Sequence, residues 1–233
     1  MRRQHPPHHF ASLRALCGRT ALIVSLMMSL LGSLSSVEAT VARRATVKSL
    51  TAQADLIIHA RVSRQWTPKA RGPQGQIYTY TELTPISVWH GEVKRPLILV
   101  QLGGQLGELR LEVHGDARLS VGQEAVFFLT SRSRDRLPVT SPSALQMVDE
   151  TGTGAHSSPQ VAHLISLAQS VFFVNETNAR GEILLRQDLD GLVFYAPQTD
   201  TLSLDPKADE SQPTLWSLNS LRAHVKALTS GGQ

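Results

Sequence analysis

The chain has 233 residues and a formal net charge of +4, with 23 Lys and Arg against 19 Asp and Glu. Arg2, Arg3, Arg14, Arg19 and Glu38 fall within the first 39 positions, so the rest carries 19 basic and 18 acidic residues. A remainder at +1 lacks the clustered cationic surplus that polyanion binding requires, which argues against nucleic acid as a partner. The only cysteine, Cys17, lies in the same opening stretch, so the remainder has no thiol chemistry and no disulfide.

Residues 1–39 read as a cleavable secretory signal. An arginine-bearing start is followed by the uncharged run Ala21 to Leu31 and then by Gly32 to Ala39, with Val37 and Ala39 at the two positions a signal peptidase reads. The expected cut falls after Ala39, so the mature chain starts at Thr40. The rival reading is an uncleaved anchor, but Ala21 to Leu34 is well short of the ~20 residues that span a bilayer. Cys17 precedes the apolar run, against lipidation, and Gln4-His5-Pro6 after Arg2-Arg3 argues against the twin-arginine route. The expected destination is a periplasm or the exterior, with no membrane association after cleavage. The absence of disulfides from an exported chain favours a bacterial envelope.

From Thr40 onward, Val47, Leu50 and Ala54 at helical spacing predict a short helix running into a strand at Asp55 to Val62. A loop with Pro68, Gly72, Pro73 and Gly75 precedes a long strand, Gln76 to Trp89, in which Pro85 marks a bulge or an edge. His90 to Glu92 is a turn. Strands follow at Leu97 to Leu102, at Glu108 to Val113, whose alternation suggests half burial, and at Glu124 to Leu129, whose unbroken apolar character suggests burial on both faces.

Beyond a polar stretch, Ser158 as N-cap and Pro159 at the first helical position predict a helix with Val161, Leu164, Ile165 and Ala168 on one face. Strands are expected at Val171 to Val174, Glu182 to Gln187 and Leu192 to Tyr195. An acidic loop, Asp200 to Pro213, leads to an amphipathic helix, Trp216 to Leu228, with Leu218, Leu221, Val225 and Leu228 on the docked side. The fold class is therefore mainly β with added helices. It is a small antiparallel barrel or sandwich, with short N-terminal, mid-chain and C-terminal helices. The expected division is 1–39 signal, 40–130 barrel, 131–160 linker and 161–233 an α+β extension packed on the barrel.

The segment Leu50 to Leu129 carries LTAQADLIIHARV, IYTYTELTPISVWHGEV, LGGQLGELRLEVHG and LSVGQEAVFFL. In these about 80 residues the chain resembles a family of exported bacterial proteins of unknown function. That family's strand order and Ala-Asp opening are similar to the barrel of netrin modules and tissue inhibitors of metalloproteinases. The resemblance implies an oligonucleotide/oligosaccharide-binding-like (OB-like) barrel and a setting beside secreted metalloproteases. Inhibitors of that kind present a disulfide-clamped N-terminal cysteine to the protease metal, which this chain lacks, so neither their mechanism nor any functional residue carries over.

No G-x-S-x-G nucleophile signature occurs, and His59, His90, His114, His156, His163 and His224 include no H-E-x-x-H pair. Catalytic, metal and cofactor sites are accordingly expected to be none. Asp188-Leu189-Asp190-Gly191 echoes part of a calcium loop, but Arg186 would occupy the first ligand position, and a β-turn accounts for the same residues. Arg61, Arg64, Lys69 and Arg71, and separately Arg132, Arg134 and Arg136, read as solvated strand ends and loops. Tyr78, Tyr80 and Trp89 are the candidate ligand surface, with core packing as the alternative. Tyr78 and Tyr80 share a face, and Trp89 joins them only if Pro85 bulges the strand. The expected function is a non-enzymatic exported module that binds a protein or peptide, its partner a secreted or envelope protein. The alternatives are a hydrolase with dispersed residues and a structural envelope protein. The sequence leaves oligomeric state open.

Overall fold

The computed structural model describes residues 40–68, 75–94, 96–131, 159–195 and 215–231. The chain divides into two units, Met1–Glu38 and Ala39–Gln233, and every described residue belongs to the second. The expected signal segment, Lys69, Arg71, the cluster Arg132 to Arg136, Ser158 and the loop Asp200 to Pro213 lie outside the described residues.

After strand β1 (Thr40–Arg43) comes helix α1 (Val47–Gln53). A reciprocal cap opens it: the Ser49 N–H donates to Thr46 Oγ1 at 3.1 Å, and the Thr46 N–H donates to Ser49 Oγ at 2.9 Å. Seven residues are too few to hold a helix in water, and Leu50, fully buried, docks it on the sheet.

Five strands then close a barrel: β2 (Leu56–Trp66), β3 (Tyr78–His90), β4 (Leu97–Leu102), β7 (Glu124–Thr130) and β8 (Gln160–Leu164). Around the barrel the order is β2-β3-β4-β8-β7 and back to β2, antiparallel except for β4 with β8. This is the OB-like alternative, not the sandwich.

Side-chain alternation explains the burial. Ile58, Ala60 and Val62 of β2 point inward to meet Leu83, Leu97, Leu99 and Phe127. Ile57, Val126 and Phe128 point outward, under α1 and the C-terminal helix α2 (Leu218–Ser230), where they meet Leu50, Phe172, Leu221 and Val225. The run is thus apolar from Ala125 to Leu129 because β7 has a core on each side. β7 also forks. Its first half pairs with β9 (Val171–Thr177), through Ala125 with Phe173, and its end pairs with β8, through Leu129 with Leu164. Beyond β9 the sheet extends through β10 (Ile183–Arg186) to β12 (Trp216–Ser217), while β11 (Leu192–Tyr195) pairs in parallel with β1.

Two expected elements are corrected. The mid-chain helix predicted from Ser158-Pro159 is strand β8, and the four residues placed on one helical face go to three different environments. Val161 lies on the barrel exterior, Leu164 and Ala168 in its interior, and Ile165 in the core beneath the helices. Without β8 the edges of β4 and β7 would both be open, so sheet closure outweighs the local capping signal. The barrel accordingly takes a stave from beyond the expected 131–160 linker. After β8 the chain reverses tightly through Leu167, which has φ 51°, with the Ser166 N–H donating to Ser170 Oγ at 2.7 Å.

The second correction concerns Glu108 to Val113. It is not a half-buried barrel strand but the second arm of a small hairpin, β5 (Gly104–Leu106) and β6 (Leu109–Leu111), turning at Gly107 with φ 64°. Leu109 and Leu111 remain 49% and 37% exposed, because the alternating pattern has no sheet beneath it to face.

Candidate functional site

The described residues place the expected ligand surface in two separate locations. Tyr78 and Tyr80 do share the outer face of β3, where Tyr80 is buried against Ile98 and Val100 with Trp66 and Val161 alongside. Trp66 stacks on Tyr80 with ring centroids 5.8 Å apart, and the Arg64 guanidinium lies 4.5 Å from the Trp66 ring centroid. Burial, and then the neighbouring Tyr78, raise the Tyr80 phenol pKa above its ordinary value. Trp89 is elsewhere: it packs against the core under α1 and α2, and its Nε1–H donates to Ser87 Oγ at 2.9 Å. The β2–β3 register does shift opposite Pro85, yet Trp89 still does not join the tyrosines. Sequence reasoning missed Trp66 and Arg64 as partners because it ended β2 at Val62. The alternation Arg64, Trp66 was the available signal.

A cleft of ≈ 430 Å³ lies at the mouth of the barrel, where β2 and β4 end and β3 begins, with the β5–β6 hairpin as its wall. That volume falls within the range usual for ligand pockets, about 300–1,000 Å³. Asp116 lies at its base. Its Oδ1 accepts from the Ala117 N–H at 2.8 Å, and the buried Gln101 donates through Nε2 to the Ala117 carbonyl at 2.9 Å. Burial pushes the Asp116 carboxyl above the ordinary carboxylate range, opposed by hydrogen bonds from the Ala117 N–H and the Gln101 side chain.

The rim above is charged but internally paired. Glu112 meets Arg110 at 3.2 Å and Arg118 at 3.3 Å, and Arg118 also reaches Asp190 at 3.4 Å. These are exposed pairs of little stabilising value, so their side chains can change partners cheaply. Leu102 and Leu111, which line the cleft, and Leu109 beside them are all exposed. The arrangement offers apolar contacts, alternating charge and a protonatable carboxyl within one concave surface.

Asp188 to Gly191 form a turn, with the Asp190 N–H donating to Asp188 Oδ1 at 3.3 Å and the Leu192 N–H to the Leu189 carbonyl at 3.1 Å. Among the described residues no group of three or more His, Cys, Asp or Glu could hold a metal ion. His59 lies buried on the outer face of β2, its Nε2 2.7 Å from Glu124 Oε1, and Glu124 also pairs with Arg61 at 3.1 Å. His163 on β8 has its pKa lowered by burial, partly offset by a hydrogen bond to the Val100 backbone. His224 packs on Trp216, with ring centroids 5.4 Å apart. Of the expected cleavage pair, Ala39 lies outside the described residues, and Thr40 begins β1.

Fold and cleft together define an OB-like barrel with a built-on α+β extension and an amphipathic concave surface at the barrel mouth. Comparison with known proteins finds no matching family model and no matching curated protein.

Proposed function

We propose that the chain is an exported, non-enzymatic binding module whose cleft holds an extended segment of a secreted or envelope protein. The observation that carries this reading is the combination of exposed Leu102, Leu109 and Leu111 with the paired rim charges Arg110, Glu112 and Arg118 around the half-buried Asp116. Exposed leucines supply non-directional affinity, and exchangeable ion pairs supply register. On this reading residues 1–39 direct export and are removed after Ala39. The resemblance of Leu50 to Leu129 to the netrin and metalloproteinase-inhibitor barrel fits a protein-binding role. With no cysteine after Cys17 the chain lacks the clamped N-terminal cysteine of those inhibitors, and on this reading the cleft serves in its place.

The test is a peptide-display screen against the exported protein, followed by Leu111→Arg and Arg118→Glu. Each is expected to weaken the selected peptides at least about tenfold, corresponding to about 1.4 kcal/mol, while Lys226→Ala on α2 leaves binding unchanged. Binding insensitive to both cleft substitutions, or substrate turnover abolished by a single substitution, would overturn the proposal. N-terminal sequencing of the exported form should begin at Thr40, and a form retaining residues 1–39 in membranes would refute the processing step.

A further inference from the structure

Four neutral polar residues line the cleft, and their own hydrogen bonds leave acceptors over. Gln65 donates through Nε2 to Thr81 Oγ1 at 3.1 Å, and Gln105 donates through Nε2 to the Gly107 carbonyl at 3.2 Å. Gln101, buried, commits its amide nitrogen to the Ala117 carbonyl and to the Asp116 side chain. Thr79 uses its hydroxyl proton on the Gly103 carbonyl at 2.8 Å. Among the described residues no group donates to the Oε1 atom of Gln65, Gln101 or Gln105, so each amide keeps its carbonyl oxygen for a ligand.

Among the described residues, Asp116 is the charged group of the cleft that has no opposite charge against it. Its neighbours are neutral donors, whereas Arg110, Glu112, Arg118 and Asp190 pair with one another on the rim. With Asp116 ionised, three acids stand against two arginines, so this group as a whole is negative. An anion would meet the Asp116 carboxylate, and an apolar group would strip it of water without replacing the lost hydrogen bonds. A cation with several N–H donors meets both the carboxylate and the leftover oxygens. Leu102, Leu111 and Leu119 also line the cleft, and the methylene stem of a lysine or arginine packs on such apolar surface while its charged end reaches further.

We propose that the base of the cleft is a pocket for a basic side chain, a lysine or arginine of the bound segment, with Asp116 as its counter-charge and the glutamine carbonyls as further acceptors. The proposal rests on the reading of the cleft as the site of an extended protein segment, and it adds what that segment carries. Binding is then linked to protons. Below its raised pKa the Asp116 carboxyl is neutral and gives a cation no counter-charge, so affinity rises with pH through that window and is constant above it. The other charged or titratable groups of this region are Arg110 and Glu112 on the hairpin side, His114 and Arg118 on either side of Asp116, and Asp190 in the turn before β11. Asp116 is singled out among them by a pH dependence that Asp116→Asn abolishes.

Nuclear magnetic resonance titration of the exported protein with N-acetyl-arginine amide, N-acetyl-lysine amide and, as the neutral control, N-acetyl-norleucine amide tests this. The basic probes should shift the amide signals of Gln101, Gln105 and Ala117 and bind at least about tenfold more tightly than the control. Asp116→Asn keeps the side-chain volume and the acceptor for the Ala117 N–H, and circular dichroism checks that it folds. It should weaken the basic probes at least about tenfold and remove their pH dependence, while Lys226→Ala changes neither. Peptides selected on the cleft should carry a lysine or arginine whose replacement by norleucine or citrulline weakens them to a similar extent. Basic probes that bind no better than the control, or equally well to Asp116→Asn, overturn the proposal. Selected peptides that respond to Leu111→Arg but carry no basic residue also overturn it, and leave the binding-module reading standing. Basic probes held through Asp116 while no peptide is selected would support the cation pocket and overturn a protein segment as its occupant. Calcium ion that binds through Asp116 and excludes the basic probes would overturn a side chain as the ligand.

Discussion

Gln169 to Leu is the sharpest test of how the N-terminal strand is held. Gln169 is buried in the reversal after β8, and its amide ties that reversal to the link between β1 and α1. Its Oε1 accepts from the Ala45 N–H at 2.6 Å, while Nε2 donates to the Arg43 carbonyl at 3.1 Å and to Ser166 Oγ at 3.2 Å. Leucine is close in volume, so little cavity forms and the change is mainly the loss of these three bonds. At about 1 kcal/mol each the loss is about 3 kcal/mol, and rehydration of the carbonyl of exposed Arg43 reduces it to about 2 kcal/mol. For a domain of this size that predicts a fall in Tm of about 4–8 °C. The loss should be local as well as global. In hydrogen exchange, amides of β1 should lose protection before those of β2 or β7, because α1 and the barrel keep their own contacts. A loss below about 0.5 kcal/mol with β1 protection unchanged would show that β1 is held by its pairing with β11 and not by the Gln169 amide.

Asp116→Asn keeps the acceptor for the Ala117 N–H and removes the charge. The folded-state pKa of Asp116 is raised, so the folded protein binds more protons than the unfolded chain between the ordinary carboxylate value and the raised one, and wild-type stability falls as pH rises through that window. In thermal melts the variant should exceed wild type at neutral pH, with the difference closing as pH drops below the ordinary carboxylate range; a pH-independent difference would refute the account. Gly115 has φ 78°, and a methyl there would run into the Leu192 side chain, whereas Gly107 has φ 64° and open space around it. In denaturant titrations Gly107→Ala should cost about 1 kcal/mol and Gly115→Ala about 2–4 kcal/mol. Equal costs would mean that the Gly115–Leu192 approach is not a real constraint.

Most of the barrel was legible in the sequence because period-2 alternation and glycine turns are local signals. β2, β3, β4 and β7 appear close to where composition places them, and Pro85 marks both a register shift and an open edge. β8 was illegible for a physical reason. Val161, Leu164, Ile165 and Ala168 satisfy helical spacing, and only the unfilled gap between β4 and β7, a long-range property, decides for a strand. The β5–β6 hairpin fails in the opposite direction, since alternation predicts which residues share a face but not whether a partner surface exists. The cleft was less legible still. Gln101, Asp116, Arg110 and Arg118 come from a strand end, a turn, a hairpin and a loop, and no spacing rule joins them. Tyr78 and Tyr80 were recognisable as a pair, but their stacking partner Trp66 is reached only through the β2–β3 register, which sets Trp66 opposite Tyr80.

The fork of β7 has a consequence for how the molecule comes apart. Phe127 faces the barrel interior and Phe128 the core under the helices, so one strand of seven residues supplies adjacent side chains to both cores. Melting either core strips one face of the strand that the other depends on, and the two cannot unfold in turn. The described part of Ala39–Gln233 should therefore melt as a single calorimetric unit, with van't Hoff and calorimetric enthalpies equal. A fragment cut after Thr130 would keep most barrel staves yet strip Phe172, Leu221 and Val225 from over Val126 and Phe128, leaving α1 as their only helical cover and β7 with an unsatisfied edge, a species prone to aggregate.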